Sequence, residues 1–333
     1  MTNLKTKYLG LTLKNPLVAS ASALSKKLSN IKAMEDAGIS CVVLYSLFEE
    51  EINHESKELH HFLSRGTESF AEALTYFPEF DTYNTGADRY LELISEAKRE
   101  VDIPIIGSLN GVSTSGWTQY AKNIEEAGAD ALELNIYFLP TDKELSSQEM
   151  EKKYIALAKT VKESISIPIA VKLSPFFTSL PNFINKIADA DVDGLVLFNR
   201  FYQPDLNIEE MKVEPHLALS NSNDMLLPLR WTAILSDKIT PDIALTSGVH
   251  SGRDMIKALM AGAAVTMTAS ELVENGIARS ESMLVECSNW MDAHGYESID
   301  NLRGTMSQKS VAYPAAFERA NYMKALTIFD NEI

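Results

Sequence analysis

Residues 131–140, ALELNIYFLP, place a carboxylate and an amide two positions apart in an otherwise apolar stretch. Side chains alternate along a strand, so Glu133 and Asn135 share one face and Leu132, Leu134 and Ile136 the other. A polar face inside a sheet is costly unless something polar occupies it. A second segment, VKLSPF at 171–176, puts Lys172 on one face with Ala170 and Ser174. An ammonium inside a fold needs an anion beside it, or it loses its proton. Three uses of Lys172 follow: an ion pair with Glu133, a cation at a ligand's electron-rich edge, or a Schiff-base nucleophile.

The elements that must position these groups show as a repeat. KAMEDAGISCVVLYS, KNIEEAGADALELNI, NKIADADVDGLVLFN and KALMAGAAVTMTAS each end an amphipathic helix, turn, and enter a β-rich run. Gly38, Gly128 and Gly262 stand where the helix stops, and Asp191 holds that place in the third copy. VDIPIIGSLN, ISIPIAVKLS and TPDIALTSGV interleave with these, and KNPLVASAS precedes them. Eight strands are expected near 16–21, 41–46, 104–110, 131–136, 168–173, 194–199, 242–248 and 264–269. Helical patterns fall at about 27–37, 88–100, 115–127, 147–164, 180–190, 226–237 and 252–261. Alternation at this count predicts a (β/α)8 TIM barrel, with residues 1–333 as a single domain. A doubly wound open sheet is the structural alternative. Residues 4–15 read as an N-terminal hairpin turning at Gly10, a plug for one end. Long loops after strands two (47–87) and six (200–225) fall at the other end, the mouth.

In such a barrel the strand ends face one mouth. There the sequence collects Ser20, Ser22, Tyr45, Ser46, Ser108, Asn110, Asn135, Lys172, Ser174, Asn199, Arg200, Thr246, Ser247, Thr268 and Ser270. A serine or threonine at one strand end commonly caps the next helix. Polar groups on all eight strands point instead to a bound polar ligand. TSGVHSGRD and TMTASELV run into helices, whose starts suit a phosphate.

A net charge of −16 argues against nucleic acid and anionic membrane as partners, since both need a basic footprint. No run of eighteen apolar residues exists. Cys41 and Cys287 have no CxxC spacing, so neither a disulfide framework nor a metal site is expected, and free thiols suit a reducing compartment. The first residues lack a signal-peptide pattern, so a cytoplasmic location is expected.

The order LKNPLVASAS, PIIGSLNG, ALELNI, VKLSPF, TSGVHSGRDM and the last strand–helix junction resembles the dihydroorotate dehydrogenases, most closely the soluble class 1 enzymes. The resemblance implies an FMN-containing (β/α)8 barrel, an oxidoreductase acting on a CH–CH bond, and a setting in pyrimidine biosynthesis. It implies flavin contacts at Ala19 and Ser20, amides at Asn110 and Asn135, and Lys172 at the flavin N1/O2 edge; Asn199, at the end of strand six, is a further cofactor candidate by position. The phosphate-binding glycine pairs fall at Ser247–Gly248 and Ala269–Ser270, each with one substitution. Where the family has its proton-removing cysteine this chain has Phe138, and the strand-two lysine is Tyr45. TYFPEFDTYN offers no clear equivalent of the family's Asn-Met-Gly-Leu-type substrate motif. Tyr137 and Tyr45 are candidates for the base by position only, with packing as the competing role. A small-molecule substrate, less polar than orotate, is expected, with a homodimer or an electron-transfer subunit as partner. A Schiff-base aldolase using Lys172 and a non-catalytic flavoprotein remain the alternative readings.

Overall fold

The structure, a computed structural model, describes residues 2–48, 86–110, 114–200, 203–214, 218–318 and 322. A hairpin of β1 (Thr6–Tyr8) and β2 (Leu11–Leu13) precedes the barrel. The barrel strands are β3 (Leu17–Ala19), β4 (Val42–Val43) continued by β5 (Leu47–Phe48), β6 (Ile105–Asn110), β7 (Ala131–Asn135), β8 (Ile169–Leu173) and β9 (Gly194–Leu197). A second hairpin, β10 (Asp205–Asn207) with β11 (Lys212–Glu214), stands apart before β12 (Asp242–Thr246) and β13 (Val265–Thr268) complete the circle. All barrel pairings are parallel, and β3 pairs with both β13 and β4, which closes it. The (β/α)8 reading holds, and the open sheet does not.

Alternation sorts the side chains into two cores. Val18, Cys41, Val43, Ile106, Ala131, Ala170, Val196 and Ala244 fill the interior with Tyr8, Leu9 and Leu13 of the first hairpin. The other face of each strand, including Leu132, Leu134, Val171 and Leu195, packs against the surrounding helices. The hairpin is the expected plug. Leu9 is buried, and a Cβ built on Gly194 would lie 2.5 Å from Leu9 Cδ2, so a larger residue there would push the Leu9 side chain aside. Leu9 N–H also donates to Asp242 Oδ2 at 3.0 Å, tying the turn to β12.

The helix stops use left-handed backbone at Gly38, Gly128 and Gly262, and Asp191 adopts it too at φ 59°. Aspartate tolerates that region better than most side chains, which explains the loose third copy. Strand two departs from expectation by breaking between Val43 and Leu47, where three residues stand opposite Gly107 and Ser108. Such an extra residue is a bulge. Tyr90, on the helix Gly86–Glu100, covers the gap: its hydroxyl accepts from Ser108 N–H at 2.7 Å and donates to Ser108 O at 3.2 Å. Most of the loop after strand two, including TYFPEFDTYN, lies outside the described residues.

One long helix was not expected. Arg279–Ala293 buries Met283, Cys287 and Met291 and packs on the helix Gly252–Ala261. Among the described residues, no helix is long and apolar enough to cross a membrane.

Candidate functional site

At the mouth, β7 and β8 run in register with Asn135 beside Lys172. Lys172 Nζ donates to Glu133 Oε1 at 3.3 Å, and both residues are buried. Glu133 Oε2 has no partner among the described residues. The ion pair read from strand alternation is therefore present, and one buried carboxylate oxygen is left over. Above it the amides link four strands. Asn199 Nδ2 donates to Asn135 Oδ1 at 2.8 Å, Asn135 Nδ2 to Ser46 Oγ at 3.3 Å, and Ser46 lies 2.9 Å from Ser108 Oγ. Across the mouth Ser20 Oγ and Thr246 Oγ1 are 3.5 Å apart.

These strand ends surround an open cavity of about 150 Å³. Ser20, Lys172, Asn199, Ser247, Gly248, Ala269 and Ser270 line it, as do Ser220 and Arg200. Three other cofactor candidates stand back from the lining. Ala19 belongs to the outer core, Asn110 is buried at the end of β6, and Asn135 sits behind Asn199. Thr268 does line the cavity, although Met267 takes the inward position on β13 and the Thr268 hydroxyl donates to Val249 O at 2.9 Å.

The junctions after strands seven and eight differ in detail from the expected pair of open helix starts. At Gly252–Ala261 the end is capped from within. Ser251 Oγ accepts from Asp254 N–H, Asp254 Oδ2 accepts from His250 N–H, and Glu286 Oε2 accepts from Gly252 N–H. The helix after strand eight, Ser270–Asn275, is only six residues long. What faces the cavity is the loop 247–249 and the turn at 269–270. Ser247 keeps a left-handed φ of 73°, the conformation a glycine reaches at little steric cost, and its hydroxyl donates to Phe198 O at 3.1 Å. Gly248 is required by close approach: a Cβ there would meet Met225 N at 2.4 Å. Ser270 Oγ accepts from Ser220 N–H at 3.0 Å.

The neighbouring side of the mouth is aromatic. Phe138 meets Tyr154 edge-on at 5.2 Å between ring centres, and Tyr154 also packs on Phe177 and Phe183. The backbone N–H of Phe138 donates to Tyr154 Oη at 3.4 Å, and burial pushes the Tyr154 phenol above its ordinary pKa. Tyr45 lies edge-on to Tyr90 at 5.0 Å, with Lys26 Nζ 5.0 Å from its ring centre. Tyr137 is half-buried.

Sequence reasoning missed Ser220, His250 and Glu271, which meet beside Ser270. They sit 30 and 21 positions apart, so no spacing signal joins them.

The lining suits a flavin mononucleotide. A buried ammonium, an amide and hydroxyls face the cavity, and small residues at 20, 21 and 269 leave room for a flat ring. When bound, FMN supplies the hydride-accepting chemistry that no side chain offers.

The family model described as "Dihydroorotate dehydrogenase" matches residues 79–291. The catalytic subunit of dihydroorotate dehydrogenase B (NAD(+)) from Methanocaldococcus jannaschii is 28% identical over 284 residues, covering 82% of this chain and 88% of the relative. The corresponding subunit from Thermoplasma acidophilum is 25% identical, with 91% and 99% covered. The dihydroorotate dehydrogenase (fumarate) of Saccharomyces mikatae is 25% identical, with 67% and 76% covered. Barrel, mouth and likeness agree: the chain belongs to the dihydroorotate dehydrogenase family of FMN-dependent oxidoreductases.

Proposed function

We propose that this protein is an FMN-dependent oxidoreductase of CH–CH bonds whose substrate is a small planar compound other than dihydroorotate. The observation that carries this reading is Phe138. It holds the place where the family's base stands, and its ring is packed against Tyr154. A phenyl ring cannot take a proton, and general-base help contributes about 10²–10⁴-fold. The apolar ring also favours a less polar substrate face.

The chain's own groups then have separate tasks. Lys172, held between β7 and β9, sets a positive charge at the cavity floor, where a reduced flavin ring would carry negative charge. Asn199 orients Asn135 and faces the cavity itself. Phe138 and its aromatic neighbours exclude water beside the reacting face. A Schiff-base role for Lys172 is less well supported, because its ammonium already donates to Glu133, whereas that chemistry needs a free amine. The relatives named as catalytic subunits support an electron-transfer subunit as partner, with a homodimer as the alternative. Their names include both NAD(+) and fumarate.

The test is the visible spectrum of the purified protein, followed by anaerobic mixing with dihydroorotate. A flavin spectrum with reduction far slower than the roughly 1–10³ s⁻¹ of ordinary turnover is expected. Reduction at an ordinary rate would overturn the substrate assignment. A colourless protein that does not take up FMN would overturn the cofactor reading.

A further inference from the structure

Ser220 lies on the loop after the sixth barrel strand, buried, and lines the cavity together with Ser270. Its N–H donates to Ser270 Oγ at 3.0 Å, and its hydroxyl lies 3.1 Å from His250 Nε2. On the far side of the ring, His250 Nδ1 is 2.8 Å from Glu271 Oε2. Glu271 Oε1 accepts from Arg279 Nε at 2.7 Å. Charged groups surround the residue on the sides away from Ser220. Glu271 and Glu274 come from the helix after strand eight, Asp254 accepts from His250 N–H at 3.2 Å, and Arg279 Nη2 donates to His250 O at 3.3 Å.

A carboxylate only accepts, so Nδ1 carries a proton and Nε2 faces Ser220. In the imidazolium form Nε2–H donates to Ser220 Oγ, and the serine's own hydrogen is left to point at an anion in the cavity. His250, Glu271 and Glu274 also bring possible metal-ligand atoms within 4.8 Å of one another. Both Glu271 oxygens are already engaged, one by Arg279 and the other by His250 and Asn275, which argues against a metal there.

We propose that Ser220 is a ligand for the phosphate monoester of FMN, and that His250, held by Glu271, is the positioning residue that makes its hydroxyl a donor. This rests on the flavin reading above. It adds a side-chain ligand from the loop after strand six to the backbone of the two junctions.

The full-length chain is titrated with FMN and with riboflavin, which has the same ring and no phosphate, and flavin fluorescence is followed. Ser220→Ala weakens FMN binding by about 10- to 100-fold, the worth of a hydrogen bond to a charged group, and leaves riboflavin unchanged. His250→Gln weakens FMN similarly, and the double variant is no weaker than Ser220→Ala alone. Equal losses for both flavins would make the network structural and overturn the proposal. Unchanged FMN affinity in Ser220→Ala, or covalent labelling of Ser220 by a fluorophosphonate as a hydrolytic nucleophile, would also overturn it. If wild type binds neither flavin, the flavin reading falls and this inference with it.

Discussion

The two sides of the mouth use their space differently. On strands five to eight and one, an ammonium, an amide and hydroxyls surround free volume. By strands two and four, rings fill against rings: Tyr45 on Tyr90, and Phe138 on Tyr154. A polar lining is stable only when its groups find partners, so the first side is shaped for a polar ligand. The second is stable by itself through aromatic packing. The contrast separates what holds a cofactor from what selects a substrate.

The sharpest break of that contrast is kinetic. Reduction of the bound flavin by dihydroorotate should run about 10²–10⁴-fold below the rate of a chain with a positioned base. Rapid-mixing absorbance at the flavin band measures it, and Phe138→Cys should restore little, since the neighbouring positions differ as well. Fast reduction in the wild type would merge the two sides into one conventional site.

Next in size is Lys172→Ala, which leaves Glu133 charged and buried with neither oxygen paired. Breaking one partner of a buried pair costs about 3–5 kcal/mol. Urea denaturation should show that loss, and adding Glu133→Gln should recover part of it. In whatever folded protein retains FMN, the reduction potential should fall. Full stability in Lys172→Ala would mean that the pair contributes nothing to the fold.

On the aromatic side, Phe138→Ala should cost about 2 kcal/mol, below the ~3–5 of a fully buried ring, because Phe138 is half-buried. FMN affinity should stay as it was. A drop in FMN affinity as large as the drop in stability would show that the two sides are not separable. Ser247→Gly is the smallest change expected. It relieves a left-handed serine, a strain of roughly 1–2 kcal/mol, but loses the hydrogen bond to Phe198 O, worth about 1 kcal/mol. The midpoint of unfolding should rise slightly or not move, and a clear fall would mean that the Phe198 contact outweighs the strain.

Most of the barrel was legible because its signals are local. Helix stops at Gly38, Gly128, Asp191 and Gly262 and the two-residue alternation along β6 to β9 set the layers without knowledge of the fold. Glu133 and Lys172 met for the same reason: strand alternation gave each a face, and strands four and five are adjacent. The misses are long-range. Thr268 lines the mouth cavity as expected, but Met267 takes the inward position on β13 and the Thr268 hydroxyl is engaged by Val249 O. The phosphate-favouring helix start before Arg253 is capped by Glu286, a carboxylate from a later helix that the sequence reading did not place. Ser220, His250 and Glu271 carry no spacing rule at all, since only the ring closure of strands brings their loops together.

The fit of Leu9 over Gly194 orders events in time. Residues made first must find a seat built from β9 and β12, some 185 and 233 positions later in the chain. Contacts this distant form slowly, because the loop they close must first surrender its freedom. The hairpin therefore locks late, once the interior strands already stand side by side. Until then the open bottom of the barrel exposes Val196, Ala244 and their neighbours to water, and a nascent chain held there would be the form most prone to stick to others.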